Sequence, residues 1–302
     1  MMKIFHWDVS DAEVLTQVYN KQTADVPHCY PVSPVEFGSG LRSLKSDRHF
    51  RELDWEKIIV GKRSGRIIGF AHISKGKIEF SDRKRIGGLI HFLTYQAGYR
   101  SAGQAILEEC ERDLHNSGIR QIWAFQNVCS YPFYHLEFGN LSDRMGHVYG
   151  LFRINGYEVN EGERFMEERE FGVTEPILPD AQIQIMVKQE PPKRAVLPGL
   201  VVQAYRGDKQ IGICEAGSAG ECCQSREAQD CFFIHWLGVE EPEQGKGWGR
   251  YLLQRMRWEM QKIGYRNAVI STDIANYRAL TFYTNYGYQV TDTVYGFAKS
   301  MS

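Results

Sequence analysis

The sequence of 302 residues predicts an α/β fold with a mixed sheet, made of two tandem domains of one kind. The first observation is an apolar run at 231–239, followed by the glycine-rich segment Gln244–Arg250 and an amphipathic run that ends at Ile263. This order is typical of a strand, a loop and a helix. The second observation is that a similar order recurs around residue 90. Alternating strands and helices form layers whose ligands bind at the strand ends.

The composition favours a soluble protein with packed cores. Apolar residues make up 43% of the chain and charged residues 24%, and the length suits two domains. The net charge of −1, without long runs of one sign, argues against nucleic acid or a membrane as a partner. Seven cysteines without framework spacing, and no signal peptide or membrane span, indicate the cytoplasm. Cys222 and Cys223 lack the spacing of a zinc site, so no metal is expected.

The first domain is predicted to open with a strand and two helices. A hairpin then turns at Ser64 and Gly65, which are typical turn residues. An aromatic- and glycine-rich segment at 126–146 has the character of an insertion. The other predicted elements of this part are a strand at 3–7, helices at 11–20 and 34–44, and hairpin strands at 57–60 and 66–73.

The second domain is predicted to be shortened at its N-terminus. The proline-rich stretch 173–200 has room for a linker and one strand at 183–187, but not for two opening helices. We therefore assign residues 1–175 to the first domain and residues 176–302 to the second.

The helix after the glycine-rich segment has a clear apolar stripe. Apolar residues recur three and four positions apart from Leu252 to Ile263, which predicts one buried face. Gly264 follows as a residue that readily ends a helix. A short strand at 267–272 and a helix at 277–286 complete the predicted site region.

The segment Gln244–Arg250 predicts an anion site. Glycines let the backbone turn tightly and approach a ligand, and amide groups at a helix N-terminus favour negative charge. Lys246 and Arg250 would add positive charge to this site. The alternative interpretation of these two side chains is solvated surface charge.

This segment and a second one, Asn276-Tyr-Arg-Ala279 continuing to Phe282-Tyr283 and Gly287-Tyr288, resemble the GNAT superfamily of acyl-coenzyme A N-acyltransferases. That family carries Gln/Arg-x-x-Gly-x-Gly/Ala after its fourth strand. Asn, Ala, an aromatic–Tyr pair and Gly–aromatic follow later in its members. The resemblance covers residues 231–290, and the two copies suggest a tandem architecture loosely similar to that of mycothiol synthase.

The resemblance implies acetyl-CoA or another acyl-CoA as co-substrate. It implies that Tyr283 is the general acid that protonates the departing thiolate. The alternative is that Tyr283 is an aromatic residue of the hydrophobic core. Asn276 would bind the coenzyme near the thioester and also suits a helix N-cap. The residues expected to bind the coenzyme are Leu237, Val239, Gln244, Gly245, Lys246, Gly247, Trp248, Gly249, Arg250 and Asn276.

Two residues are candidates for the general base. Phe233, His235, Leu237 and Val239 are predicted to share one face of the strand, and of these only His235 titrates near neutral pH. His235 is therefore the favoured candidate, and Glu240 at the strand end is the next. The alternative for His235 is a ring packed against the sheet and satisfied by a carbonyl.

The two copies differ at the positions that would carry chemistry. Aligning them pairs His91 with His235, Gly103 with Gly247, Met145 with Asn276 and Phe152 with Tyr283. Because phenylalanine has no proton to give, we predict that the first domain is degenerate and mainly structural. The second domain is then the catalytic one.

The expected function is that of an N-acetyltransferase, or more generally an acyltransferase. It would move the acyl group to an amine by direct attack in a ternary complex, because no cysteine falls within the motifs. The acceptor is a small-molecule or peptide amine, and an oligomer is compatible with the sequence. One alternative is a non-catalytic acyl-CoA sensor or interaction protein, and another is an enzyme that modifies a peptide or protein.

Overall fold

The structure of the protein is a computed structural model that describes residues 2–7, 12–43, 50–80, 83–127 and 131–301. The chain divides into two compact units. The first contains Met1–Glu163 and Asp292–Ser302, and the second contains Arg164–Thr291. The sequence predicts a single boundary after residue 175, whereas most of the last strand belongs to the first unit. No helix in the described ranges is long and apolar enough to cross a membrane.

Both units have the predicted mixed α/β architecture. The elements up to the start of the second unit are β1 (Met2–Trp7), α1 (Ala12–Gln22), α2 (Pro34–Ser43), β2 (Phe50–Arg63), β3 (Arg66–Phe80), β4 (Arg83–Tyr95), α3 (Arg100–Asn116), β5 (Gln121–Ala124), β6 (Leu141–Ser142), α4 (Gly146–Ile154) and β7 (Glu158–Glu168). The later elements are β8 (Ile183–Glu190), β9 (Gly199–Arg206), β10 (Lys209–Ser218), α5 (Arg226–Gln229), β11 (Cys231–Val239), α6 (Trp248–Ile263), β12 (Asn267–Asp273), α7 (Tyr277–Thr284) and β13 (Gln289–Ser300). The strands β7 and β13 each contain a boundary between the units.

The sheet of the first unit follows the order β1-β2-β3-β4-β5, and the C-terminal part of β13 pairs with β5. Neighbouring strands are antiparallel except β4 and β5, which are parallel. The predicted opening strand, two helices and hairpin are present. The hairpin strands are longer than predicted, because backbone pairing continues beyond the apolar stretch that marks them in the sequence.

Aromatic side chains fill the space between the helices α1 and α2 and the sheet of the first unit. The ring of Tyr19 in α1 lies 5.4 Å from Phe37 in α2 and 5.6 Å from Phe92 in β4. The segment that follows β5 adds Phe133, whose ring lies 5.1 Å from Tyr19. Each aromatic pair of this kind contributes about 0.5–1.5 kcal/mol beyond its buried area. The predicted insertion therefore helps to build the core of this unit.

The sheet of the second unit has the order β8-β9-β10-β11-β12, and its neighbours are antiparallel except β11 and β12. The predicted stripe of α6 is buried, including Leu252, Leu253 and Met256, and Gly264 ends the helix at a φ of 119°. Residues 164–182, all of them described, contain no helix. As predicted, the two helices that open the first unit have no counterpart ahead of β8.

A β-bulge lies in β11 at His235. The strand β10 pairs Glu215 with Trp236 and its next residue, Ala216, with Ile234, which leaves His235 as the extra residue. An extra residue shifts the side-chain alternation by one, so that two consecutive residues lie on the same side. Accordingly, His235 and Trp236 are both exposed.

The bulge overturns one prediction about this strand. Leu237 and Val239 pack on the helical core of the unit, together with α6. Phe233 instead lies with its ring 5.0 Å from that of His235. The prediction that these four residues share one face is wrong, because regular alternation stops at the bulge.

The first unit has the same bulge at the corresponding histidine. The strand β3 pairs His72 with Phe92 and Ile73 with Ile90, which leaves His91 as the extra residue of β4. In each unit the parallel pairing with the next strand ends at the residue before this histidine. His91 and His235 therefore occupy equivalent positions.

The connections that follow these two strands are not equivalent. The first unit passes from β4 to α3 through residues 96–99, and the second from β11 to α6 through the longer segment 240–247. Gly103 therefore lies inside the first turn of α3, whereas Gly247 precedes α6. The predicted pairing of these two glycines is wrong, because the first unit lacks part of the loop.

Candidate functional site

The loop before α6 presents open amide groups at a helix N-terminus. Gly245 and Gly247 have φ values of 79° and 89°, a region that glycine adopts without steric cost. No side chain caps the helix at Gly247. The first helical hydrogen bond runs from Tyr251 N to Gly247 O at 3.0 Å. The amides of residues 248–250 lie ahead of that bond and point outward, as an anion site requires.

A cavity of about 760 Å³ lies against this loop. It brings together Tyr283 and every residue expected to bind the coenzyme except Trp248. These residues are Leu237, Val239, Gln244, Gly245, Lys246, Gly247, Gly249, Arg250 and Asn276. Two segments separated along the chain, the loop and α7, thus meet at one cavity.

Trp248 does not line this cavity. Its side chain is 2% exposed and its ring lies 6.0 Å from that of Tyr251 in the core. The first residue of α6 points its side chain inward because the amphipathic face of the helix begins there. Trp248 can offer a ligand only its backbone amide.

Four further residues of the cavity are not among those predicted from the sequence to bind the coenzyme. Arg278, Ala279, Phe282 and Tyr286 also line the cavity. The sequence contains a pattern that indicates two of them. Arg278 and Phe282 are four residues apart in the predicted helix and therefore share a face. Arg278 is exposed and adds a cation opposite the loop.

The polar side chains of the loop have partners of their own. Gln244 donates from Nε2 to the carbonyl of Val239 at 3.0 Å, which ties the loop to the end of β11. Lys246 Nζ lies 3.1 Å from Glu243 Oε2. Hydrogen bonds from Arg206 and then Lys246 lower the pKa of Glu243, so this carboxylate stays charged. Part of the positive charge of Lys246 is therefore already balanced.

The edge of β11 opens beside the cavity. Parallel pairing with β12 joins Cys231–Ile234 to Asn267–Ile270 and stops there. Leu237 and Val239 lie beyond this point and line the cavity. A strand edge without a neighbour presents N–H and C=O groups that an extended ligand with amides can pair with.

Tyr283 is 7% exposed and its side chain lines the cavity from α7. Burial raises the pKa of its phenol well above the usual value, so the group keeps its proton at neutral pH. At the start of the same helix, Asn276 Oδ1 accepts a hydrogen bond from Ala279 N at 3.0 Å. Asn276 therefore caps α7 and lines the cavity at the same time.

A buried arginine holds the turn that follows Tyr283. Arg257 in α6 donates from Nη1 to the carbonyl of Tyr286 at 3.2 Å and forms an ion pair with Glu168. Gly287 has a φ of 96°, and a Cβ there would lie 3.0 Å from the Glu168 carboxyl group. This packing fixes α7, and with it Tyr283, against α6.

The two candidate bases do not line the cavity. His235 lies at the bulge, on the sheet face opposite the helical core, and Glu240 is exposed at the strand end. Desolvation by its surroundings lowers the pKa of His235, although part of the ring is exposed, and the Glu190 carboxylate partly opposes this shift. His235 is thus neutral near pH 7 and able to accept a proton.

Residues 198–290 match a family model described as the acetyltransferase (GNAT) domain. Among solved structures, a tandem GNAT protein from the clavulanic acid biosynthesis pathway superposes with a TM-score of 0.67, at 10% identity over 99% of this chain and 98% of that chain. A GCN5-related N-acetyltransferase from Sphaerobacter thermophilus has a TM-score of 0.62, at 13% identity over 99% of this chain and 95% of the other.

A third structure extends the same similarity. It is a glucosamine N-acetyltransferase region of a fungal multi-domain GH3 β-N-acetylglucosaminidase, with a TM-score of 0.66 and 13% identity over 99% of this chain. The match spans 38% of that larger chain. No curated protein sequence gives a significant match. At these identities the structural similarity establishes a tandem GNAT fold.

Proposed function

We propose that the second unit, whose residues 198–290 match the acetyltransferase (GNAT) domain model, transfers an acyl group from acyl-CoA to an amine. The observation that carries this proposal is the meeting of three features at one cavity. They are the open amides of the glycine loop, the unpaired edge of β11 and the phenol of Tyr283.

The residues of the cavity fit the parts of an acyl-CoA molecule. The amides of 248–250 suit the pyrophosphate, and Arg250 and Arg278 supply cations beside them. Charge-assisted hydrogen bonds of this kind contribute about 1.5–3 kcal/mol when water is excluded. The backbone at Leu237 and Val239 suits the amides of the pantetheine arm. The activated thioester would then lie near Tyr283 and Asn276.

The proposed chemistry moves protons between two side chains and the reactants. When bound, acyl-CoA supplies an acyl carbon joined to sulfur. The amine nitrogen forms a bond to that carbon while the carbon–sulfur bond breaks. His235 accepts the proton of the ammonium form and releases it to water. Tyr283 gives its proton to the departing sulfur and regains one from the new amide nitrogen through water.

Burial of Tyr283 is compatible with this role. A free phenol has a pKa of about 10 and a thiol of about 8.5, so proton transfer from one to the other is uphill by a modest amount. Burial raises the pKa of Tyr283 further. The same low-polarity surroundings disfavour a thiolate, so the pKa values of the phenol and of the thiol are both raised.

The first unit is assigned a structural role in this proposal. Phe152 stands where the second unit has Tyr283, and the loop before α3 is shorter than the loop before α6. The first unit therefore lacks both the acid and part of the anion site.

Calorimetric titration of the full chain with acetyl-CoA tests the proposal. We expect saturable binding, and release of free thiol when an amine is added. Absence of binding at millimolar acetyl-CoA would overturn the proposal. Tight binding without thiol release across small amines and lysine peptides would instead favour a sensor of acyl-CoA.

A further inference from the structure

The sheet face opposite α6 carries an exposed tryptophan. Trp236 follows the bulge in β11 and is 60% exposed. Its counterpart after the bulge of the first unit is Phe92, which is 1% exposed beneath α1 and α2. The second unit lacks these two helices, so the position that they would cover is open to a ligand.

Two glycines make room for the aromatic rings on this face. A Cβ at Gly217 would lie 2.6 Å from Nε2 of His235, and a Cβ at Gly238 would lie 2.8 Å from Nε1 of Trp236. Such short distances mean that each ring occupies the space of a missing side chain. Both rings thus lie on the sheet surface, that of His235 over Gly217 and that of Trp236 over Gly238.

A carboxylate lies next to Trp236 on the same face. Glu215 is the cross-strand partner of Trp236, and directly opposed residues have Cβ atoms about 4.5–5.5 Å apart. The neighbours of Glu215 along β10, Cys214 and Ala216, are buried in the helical core, so Glu215 faces away from it.

A lysine on the same face is too distant to neutralise Glu215 directly. Lys188 pairs with Val201, and Val201 pairs with Glu215. Lys188 is therefore two strands from Glu215, or about 10 Å at ordinary strand spacing. Trp236 thus presents an aromatic face next to the carboxylate of Glu215, a combination that suits a cation.

This face and the coenzyme cavity lie on the two sides of β11. Trp236 and Leu237 are consecutive residues on opposite faces of β11, and Leu237 lines the cavity. Because pairing between β11 and β12 stops at Ile234 and Ile270, the two strands leave a gap beside these residues. A group held at Trp236 is one sheet thickness from a group held at Leu237.

We propose that the acceptor amine binds as a cation on this open face, with its ammonium group between the ring of Trp236 and the carboxylate of Glu215. The inference rests on the proposed acyl transfer and names the residues that select the acceptor. His235 precedes Trp236 in β11 on the same face of the sheet, and it accepts the ammonium proton before attack. Trp236 and Glu215 bind and orient the amine, and neither exchanges a proton with it.

A matched pair of probes tests the binding. The full chain with CoA present is titrated with 1,6-diaminohexane or with 1,6-hexanediol, which has the same length and no charge, and binding is followed by calorimetry. We expect the diamine to bind and the diol not to bind. Glu215→Gln and Trp236→Ala should each weaken diamine binding by about threefold to tenfold. Asp208→Asn, which removes an exposed carboxylate in the β9–β10 turn, should leave it unchanged.

The outcomes separate this inference from the proposed function. Acetyl-CoA binding by each variant shows that the variant is folded. Wild-type protein that binds acetyl-CoA but not the diamine, or variants with unchanged diamine affinity, would overturn the inference alone. Failure of wild-type protein to bind acetyl-CoA would overturn the proposed function. If the diamine is acylated, Trp236→Ala should raise its KM and leave kcat near the wild-type value.

Discussion

Phe152 in the first unit and Tyr283 in the second make the same backbone hydrogen bond, but their side chains lie in different surroundings. Phe152 O accepts from Tyr157 N at 3.1 Å, and Tyr283 O accepts from Tyr288 N at 3.3 Å. The ring of Phe152 is sealed between those of Phe125 and Phe297, at 5.6 and 5.3 Å. Tyr283 lines a cavity instead. The same position of two equivalent helices can therefore lie in a core or line a cavity.

The ends of the two equivalent strands repeat this contrast. His91 and His235 are both bulge residues, but His91 is buried and its Nε2 lies 2.7 Å from Ser74 Oγ. His235 is exposed beside Trp236. Helices and aromatic side chains cover the bulge in the first unit, and the second unit lacks those helices. The difference arises from what packs above the sheet, not from the sheet itself.

The largest predicted effect concerns the pair Tyr283 and Phe152. Tyr283→Phe removes the proposed acid, so kcat should fall by about a hundredfold or more while acetyl-CoA affinity is retained. Thiol release and calorimetry measure the two quantities. Phe152→Tyr should leave kcat unchanged, but it buries a hydroxyl without a partner and should lower the free energy of unfolding by about 1–3 kcal/mol. An unaltered kcat in Tyr283→Phe would assign Tyr283 to the core.

A smaller effect is expected for a matched pair of glycines. Gly247 and Gly98 precede α6 and α3 with φ values of 89° and 88°, and an added Cβ meets nothing within 4 Å at either. Alanine at each position costs about 1–2 kcal/mol of backbone strain. We expect Gly247→Ala to weaken acetyl-CoA binding about tenfold, since 1.4 kcal/mol corresponds to that factor.

Gly98→Ala is the control for backbone strain in this comparison. It should reduce stability by a similar amount in urea unfolding and leave acetyl-CoA affinity unchanged. Equal loss of affinity in both variants would mean that general destabilisation, and not the loop, determines binding.

The smallest predicted effect is a shift in the pH dependence of kcat/KM. As the proposed base, His235 would act only when neutral, so kcat/KM should fall as the pH drops through its pKa. Desolvation lowers that pKa, which puts the acidic limb below the ordinary histidine value of about 6.5. Glu190→Gln removes a charge that raises the pKa, so the limb should move to still lower pH. His91→Gln should not move it, and a limb that survives in His235→Gln would exclude His235 as the base.

Several features of the second unit were predictable because they depend on residues close together in the sequence. The loop requires glycines at a positive φ, the stripe of α6 follows helical spacing, and Asn276 suits an N-cap by its own chemistry. Arg278 was not predicted as a site residue, because its role depends on residues distant in the sequence. Arg278 stood in a predicted helix, but the cavity to which it contributes also needs the end of β11.

The sequence by itself determined the mixed α/β fold in two copies, the glycine-rich loop before α6 and the absence of opening helices in the second copy. Tertiary structure alone decided which face His235 occupies, because the bulge is set by pairing with β10. It also decided that Trp248 is buried, and that most of β13 completes the first unit. These outcomes depend on contacts between residues far apart along the chain, which no local pattern of side chains encodes.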